Sequence, residues 1–114
     1  MTDLELRDAL LDAIPYPIVF VDMDHIIRYM NKTARFHYYD MRGYRDLIGK
    51  SIFECHNETS REKILEGFER LKRHSVEIFI GVWVNNWRIY MTPVRNEKGE
   101  MIGYFERFEL NQQK

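Results

Sequence analysis

The 114-residue chain reads as an α+β domain: an N-terminal helix, two strands, short helical segments, a longer helix and three further strands. Three observations carry this reading. Apolar residues recur at helical spacing over the first fourteen positions and again beyond Thr59. β-Branched and aromatic residues concentrate from Ser75 onward. Between two of those β-rich runs, Asn85-Asn86 has the residue type that tolerates the left-handed backbone of a two-residue hairpin turn.

Taken in order, Thr2-Asp3-Leu4-Glu5 has capping-box spacing, and Leu6, Leu10 and Ile14 recur every four residues behind it. This amphipathic helix should stop near Ile14, because Pro15 disfavours helical geometry in the residue before it. Tyr16 to Val21 follows as a strand, Asp22 to His25 as a turn and Ile26 to Met30 as the hairpin partner. Asn31 is suited to cap a small helix running to about Tyr38, and residues 41–46 carry turn formers including Gly43. Thr59 and Glu62 repeat the capping-box spacing. Ile64, Leu65, Phe68 and Leu71 then form one stripe, and Lys72, Arg73 and His74 suit the negative helix end. Strands are expected at Val76–Val84, Trp87–Arg95 and Met101–Leu110. A two-residue turn at Asn85-Asn86 would pair Val84 with Trp87, Val82 with Ile89 and Ile80 with Met91 on an apolar inward face. Trp83 with Arg88, Gly81 with Tyr90 and Phe79 with Thr92 would share the other face, which is too apolar to be simply solvated. The N-terminal helix, from the same chain or a partner, is a candidate to cover it, with Arg88 stacked over Trp83.

Composition narrows the function classes. Seventeen basic residues balance eighteen acidic ones without a basic cluster, which gives nucleic acid or an anionic membrane no electrostatic attraction. The expected partner is a small molecule or a protein. A single cysteine excludes an internal disulfide framework and suits a reducing compartment. No signal peptide is recognised and no apolar run approaches the ~20 residues that cross a bilayer, so a soluble cytoplasmic protein is expected. One domain is expected over residues 1–114: a cap helix to residue 14, a core over 15–110 and a polar tail over 111–114.

Four segments resemble the PAS family, in the family's order: Ile14-Pro-Tyr-Pro-Ile-Val-Phe-Val-Asp22, Asn31-Lys-Thr-Ala34, Leu47-Ile-Gly-Lys-Ser51 and Pro93-Val-Arg-Asn-Glu-Lys-Gly-Glu-Met-Ile-Gly103. The resemblance covers nearly the whole chain, with one departure at His25, where many PAS sequences carry glycine. It implies a curved five-stranded antiparallel sheet, short helices enclosing a pocket over one face, and a sensory or regulatory role. Cys55-His56 further resembles a PAS subgroup that includes domains found beside hemerythrin-like modules.

On that fold Ile80, Val82, Ile89 and Met91 would floor the pocket, Phe36, Phe53, Leu65 and Phe68 would form walls, and Cys55 and His56 would lie at its edge. A packed core uses the same side chains. Flavin adduct chemistry is disfavoured, because the light-sensing subgroup places its thiol where this chain has Ile52. Haem needs an axial donor in an apolar pocket. His56 is the first candidate, ahead of Cys55, His37 and His74. A zinc site lacks a second Cys/His cluster, and a catalytic Cys-His pair lacks an orienting third residue, so no metal and no enzymatic activity are expected. A polar ligand could instead meet His56 or Arg35. The function expected is a non-enzymatic sensor module that binds a small ligand and signals as a homodimer or to a signalling protein. Leu6, Leu10, Phe79, Trp83 and Tyr90 are its interface candidates. A ligand-free dimerisation module and a haem-binding redox or gas sensor are the alternatives.

Overall fold

The structure is a computed structural model that describes residues 1–55, 58–73, 76–82 and 86–110. Helix α1 (Asp3–Ala13) starts where Thr2 Oγ1 accepts the Glu5 amide at 3.0 Å, and it ends at Ile14, which turns extended ahead of Pro15. Strand β1 (Ile18–Asp22) and β2 (Ile27–Met30) form the first hairpin. Asp22 organises its turn: Oδ1 accepts the amides of Asp24 and Ile26, and Oδ2 accepts Arg28 Nε at 2.7 Å. Burial alone would raise the Asp22 pKa, but these bonds to the carboxylate outweigh it and hold it below its usual value.

Asn31 caps α2 (Lys32–Arg35), which runs into a π-helical turn, Phe36–Met41. The chain then crosses the open edge of β2. Gly49 donates to the Ile27 carbonyl at 2.7 Å and Ile27 donates to that of Lys50 at 2.9 Å, so the edge is covered. Gly49 stands at φ 94, a backbone that side-chain-bearing residues rarely adopt. A 3₁₀ turn, Ile52–Cys55, leads toward helix α3 (Glu58–Arg73), and β3 (Ile78–Val82), β4 (Trp87–Arg95) and β5 (Met101–Leu110) complete the fold.

The five strands form one antiparallel sheet in the order β2-β1-β5-β4-β3, so the last strand lies between the first and fourth. Ile64, Phe68 and Leu71 bury the stripe of α3, and Gly67 faces the sheet. A Cβ on Gly67 would come within 2.7 Å of Met91 Sδ, so the missing side chain sets how closely the helix lies on β4.

Two expectations are corrected. The β3–β4 register is not the one a two-residue turn imposes: Val82 pairs with Arg88 and Gly81 with Ile89, while Phe79 pairs with Tyr90 and Ile78 with Met91. Ile80 is the extra residue of a β-bulge, and this two-against-one count breaks the simple alternation. Val82 therefore lies opposite an outward residue and is 45% exposed, off the inner face. Asn86 does adopt the left-handed backbone, at φ 66. Asn85 and Val84 lie outside the described residues.

The second correction concerns α1. It packs on α2 and buries none of its residues, while Phe79 stays 45% exposed, so the helix of the same chain does not cover the outer face of β3 and β4. Its anchors are polar. Asp12 Oδ1 accepts the Lys32 amide at 2.8 Å, Thr33 Oγ1 donates to the Ile14 carbonyl, and Asn31 Nδ2 donates to that of Leu11.

Candidate functional site

The sheet's inner face is built from rows of directly paired residues. One row crosses all five strands: Met30, Val19, Glu106, Met91 and Ile78. Four of these are apolar and buried. The fifth, on the central strand, is a carboxylate with 1% exposure. Such a group is costly to bury and persists only with polar partners. The adjoining row places Val21 beside Tyr104, two residues before Glu106 on the same face.

Tyr104 is fully buried, and its hydroxyl lies 3.1 Å from His25 Nδ1. Burial, followed by the Glu106 and Asp22 charges, pushes the phenol's pKa far up and keeps it protonated. His25 reaches inward from the β1–β2 turn, where it stands at φ 65. Its ring lies 5.2 Å from Phe53, 4.6 Å from Phe68 and 6.0 Å from Tyr104. Two cations border this aromatic group: Arg61 over Phe53 at 4.8 Å and Lys72 over Phe68 at 4.6 Å. Burial lowers the His25 pKa; Lys72 and Arg61 lower it further, against Asp22 and Asp24.

A second histidine, His37, is packed at the other end of the core, edge-on to Tyr38 at 4.8 Å and to Phe108 at 5.5 Å. Burial lowers its pKa, with Arg42 adding to the effect. Outside the core, a depression of about 410 Å³ opens on the surface between Tyr39, Tyr44 and Asp46.

The structure brings together only part of the expected site. Phe68, Ile89 and Met91 are buried on the inner face, and Phe53 and Ile80 pack against the core from its margin. Phe36 is 56% exposed on the π-helical turn and Leu65 37% exposed on the outward side of α3; with Val82, they are removed from the inner face. The π-helical turn and the bulge explain two of these displacements, since neither keeps the spacing of regular structure. Cys55 ends the 3₁₀ turn. Its side chain, His56, His74 and Trp83 lie outside the described residues. Arg35 is engaged by the Met30 carbonyl at 2.7 Å rather than facing the inner rows.

His25, Tyr104 and Glu106 were not among the expected site residues. Their signals were a non-glycine at a left-handed turn position and the shared parity of Tyr104, Glu106 and Phe108 along β5.

The interface candidates divide similarly. Leu6 and Leu10 are exposed on α1. On the sheet's outer face, Arg88 stacks over Phe79 at 5.1 Å and Tyr90 at 5.5 Å, and Arg107 lies over Tyr90 at 4.2 Å. Arg107 forms a two-bond fork with Glu77, at 3.0 and 2.8 Å, and also holds Glu109 at 2.7 Å.

A family model described as the PAS fold matches residues 11–109. The chain belongs to the PAS-fold family, whose domains are generally sensory, non-catalytic modules. Among solved structures, it is similar to a C-terminal domain from Streptococcus mutans: 19% identity, TM-score 0.74, 95% of this chain and 84% of that one. It also resembles the PAS domain of a Colwellia psychrerythraea protein: 19% identity, TM-score 0.71, 95% and 96%. A sensory box sensor histidine kinase from Vibrio cholerae aligns at 17% identity and TM-score 0.62 over 93% and 87%. No curated protein sequence matches the chain. Among the described residues, no helix is long and apolar enough to cross a membrane.

Proposed function

We propose that this PAS domain is a non-enzymatic sensor that binds a small ligand at its inner sheet face and signals through a dimer or partner interface. One observation carries the reading. The inner face holds a carboxylate and an imidazole–phenol contact, Glu106, His25 and Tyr104, where an inert core would be apolar. These groups have the hydrogen-bonding capacity to orient a ligand. The exposed leucines of α1 and the Phe79–Val82 edge supply apolar surface for the output contact. The Vibrio cholerae relative, a sensor histidine kinase, favours signalling as the setting.

The first test is mass spectrometry of small molecules released from purified protein, together with an absorption spectrum that would reveal haem or flavin. A released molecule whose occupancy falls severalfold in Tyr104→Phe supports the reading. Protein that releases nothing and shows no thermal shift with a metabolite panel overturns it. The close approach of Gly67 to Met91 favours a second reading, a ligand-free dimerisation module with a filled core. That module should be dimeric by light scattering and indifferent to every small molecule.

A further inference from the structure

We propose that Phe53, Phe68 and Tyr104 form a subsite for a neutral planar nitrogen heteroaromatic, and that His25 is its built-in occupant until such a ligand displaces it. The inference rests on the inner-face ligand reading above and names the chemistry of that site.

The turn does not need an imidazole. Its backbone is closed by His25 N donating to the Asp22 carbonyl at 3.0 Å and Ile52 N donating to the His25 carbonyl at 2.9 Å. The Asp22 carboxylate adds bonds from the Asp24 and Ile26 amides, and none of these uses the ring. At φ 65 a glycine would sit without steric cost, and a side chain is tolerated there only against strain. The side chain that is present fills a defined space. Its ring lies edge-on to Phe68 at an interplanar angle of 66°, tilted to Phe53 at 46°, and its Nδ1 meets the Tyr104 hydroxyl at 3.1 Å.

Such a box recognises a flat ring carrying one nitrogen in its plane. Arg61 and Lys72, stacked over Phe53 and Phe68, repel a cationic ring and favour a neutral one. The same preference shows in His25 itself, whose protonation is disfavoured by burial and by these cations. Displacement requires only side-chain rotation. His25 is half-buried, so its ring has a path to water while the turn's backbone bonds stay in place.

The test removes the occupant and supplies the free ring. His25→Gly should take up imidazole at about pH 8, where the probe is neutral, with a saturable rise in Tm. Wild type should bind imidazole at least about tenfold more weakly, because its own ring must first leave. Adding Tyr104→Phe to His25→Gly should weaken uptake severalfold. A folded His25→Gly that imidazole does not stabilise overturns the proposal. If that variant fails to fold, the His25 ring signals of wild type decide. Under excess imidazole they should shift toward those of a solvated histidine, and unchanged signals overturn the proposal. The two readings fail separately. A ligand released from wild type that carries no planar nitrogen ring removes the subsite and leaves ligand binding standing. Imidazole uptake by His25→Gly alongside wild type that binds no metabolite supports the subsite and removes the sensor reading.

Discussion

The two faces of the sheet carry similar chemistry in opposite surroundings. Inside, Tyr104 and Glu106 are buried, and the cations nearby, Arg61 over Phe53 and Lys72 over Phe68, lie at the rim. Outside, Tyr90, Glu77, Glu109 and Arg107 form a network with water at hand. The pKa directions follow. Burial drives the Tyr104 phenol up and His25 down, away from charge. The Arg107 hydrogen bonds draw Glu77 and Glu109 down, toward charge. A polar group on the inner face therefore specifies structure at a cost in burial. One on the outer face contributes little to stability and stays available to a partner.

The largest effect expected from breaking this contrast is at Asn31, a buried polar residue where the inner face meets α1. Its Oδ1 accepts the amides of Ile18 and Ala34, and its Nδ2 donates to the carbonyls of Leu11 and Tyr16. Asn31→Ala orphans several of these groups at once and should cost about 3 kcal/mol, read as a lower urea midpoint at unchanged slope. Tyr104→Phe removes one buried hydrogen bond and should cost about 1 to 2 kcal/mol in the same assay.

The acid titration should separate the two faces. The folded pKa values of His25 and His37 lie below the ordinary 6.5, so the unfolded chain binds more protons between those values. Their contribution is fully present above pH 6.5 and is lost as pH falls through the folded values. Glu77 and Glu109 lie below 4.5, so the outer network weakens only at lower pH, as the carboxylates take up protons through their depressed values. Stability against pH should therefore fall in two stages, and His25→Asn should shrink the first alone. The smallest effect is at the surface. Arg107→Ala should cost about 0.5 to 1 kcal/mol, and that cost should shrink with added salt.

The order of elements was legible in the sequence because caps, prolines and apolar spacing are local signals. Thr2, Pro15, Asn31 and the Ile64–Phe68–Leu71 stripe act within a few residues of themselves. The site was less legible, because it depends on which strands become neighbours. Glu106 acquires its meaning only when β5 lies between β1 and β4, which places it between Val19 and Met91. Val82 was displaced from the expected floor by the bulge at Ile80, which period-two reasoning does not foresee. His25 stood in view as a departure from glycine. Its inward reach to Tyr104, 79 positions away, is a tertiary fact.

The four bonds of Asn31 have a kinetic consequence. One amide side chain joins the exit of α1, the start of β1 and the first turn of α2, so these segments should open together rather than fray one by one. The backbone protons of Ile18 and Ala34, sixteen positions apart, should then exchange with solvent deuterium at a common rate, and Asn31→Ala should uncouple the two clocks.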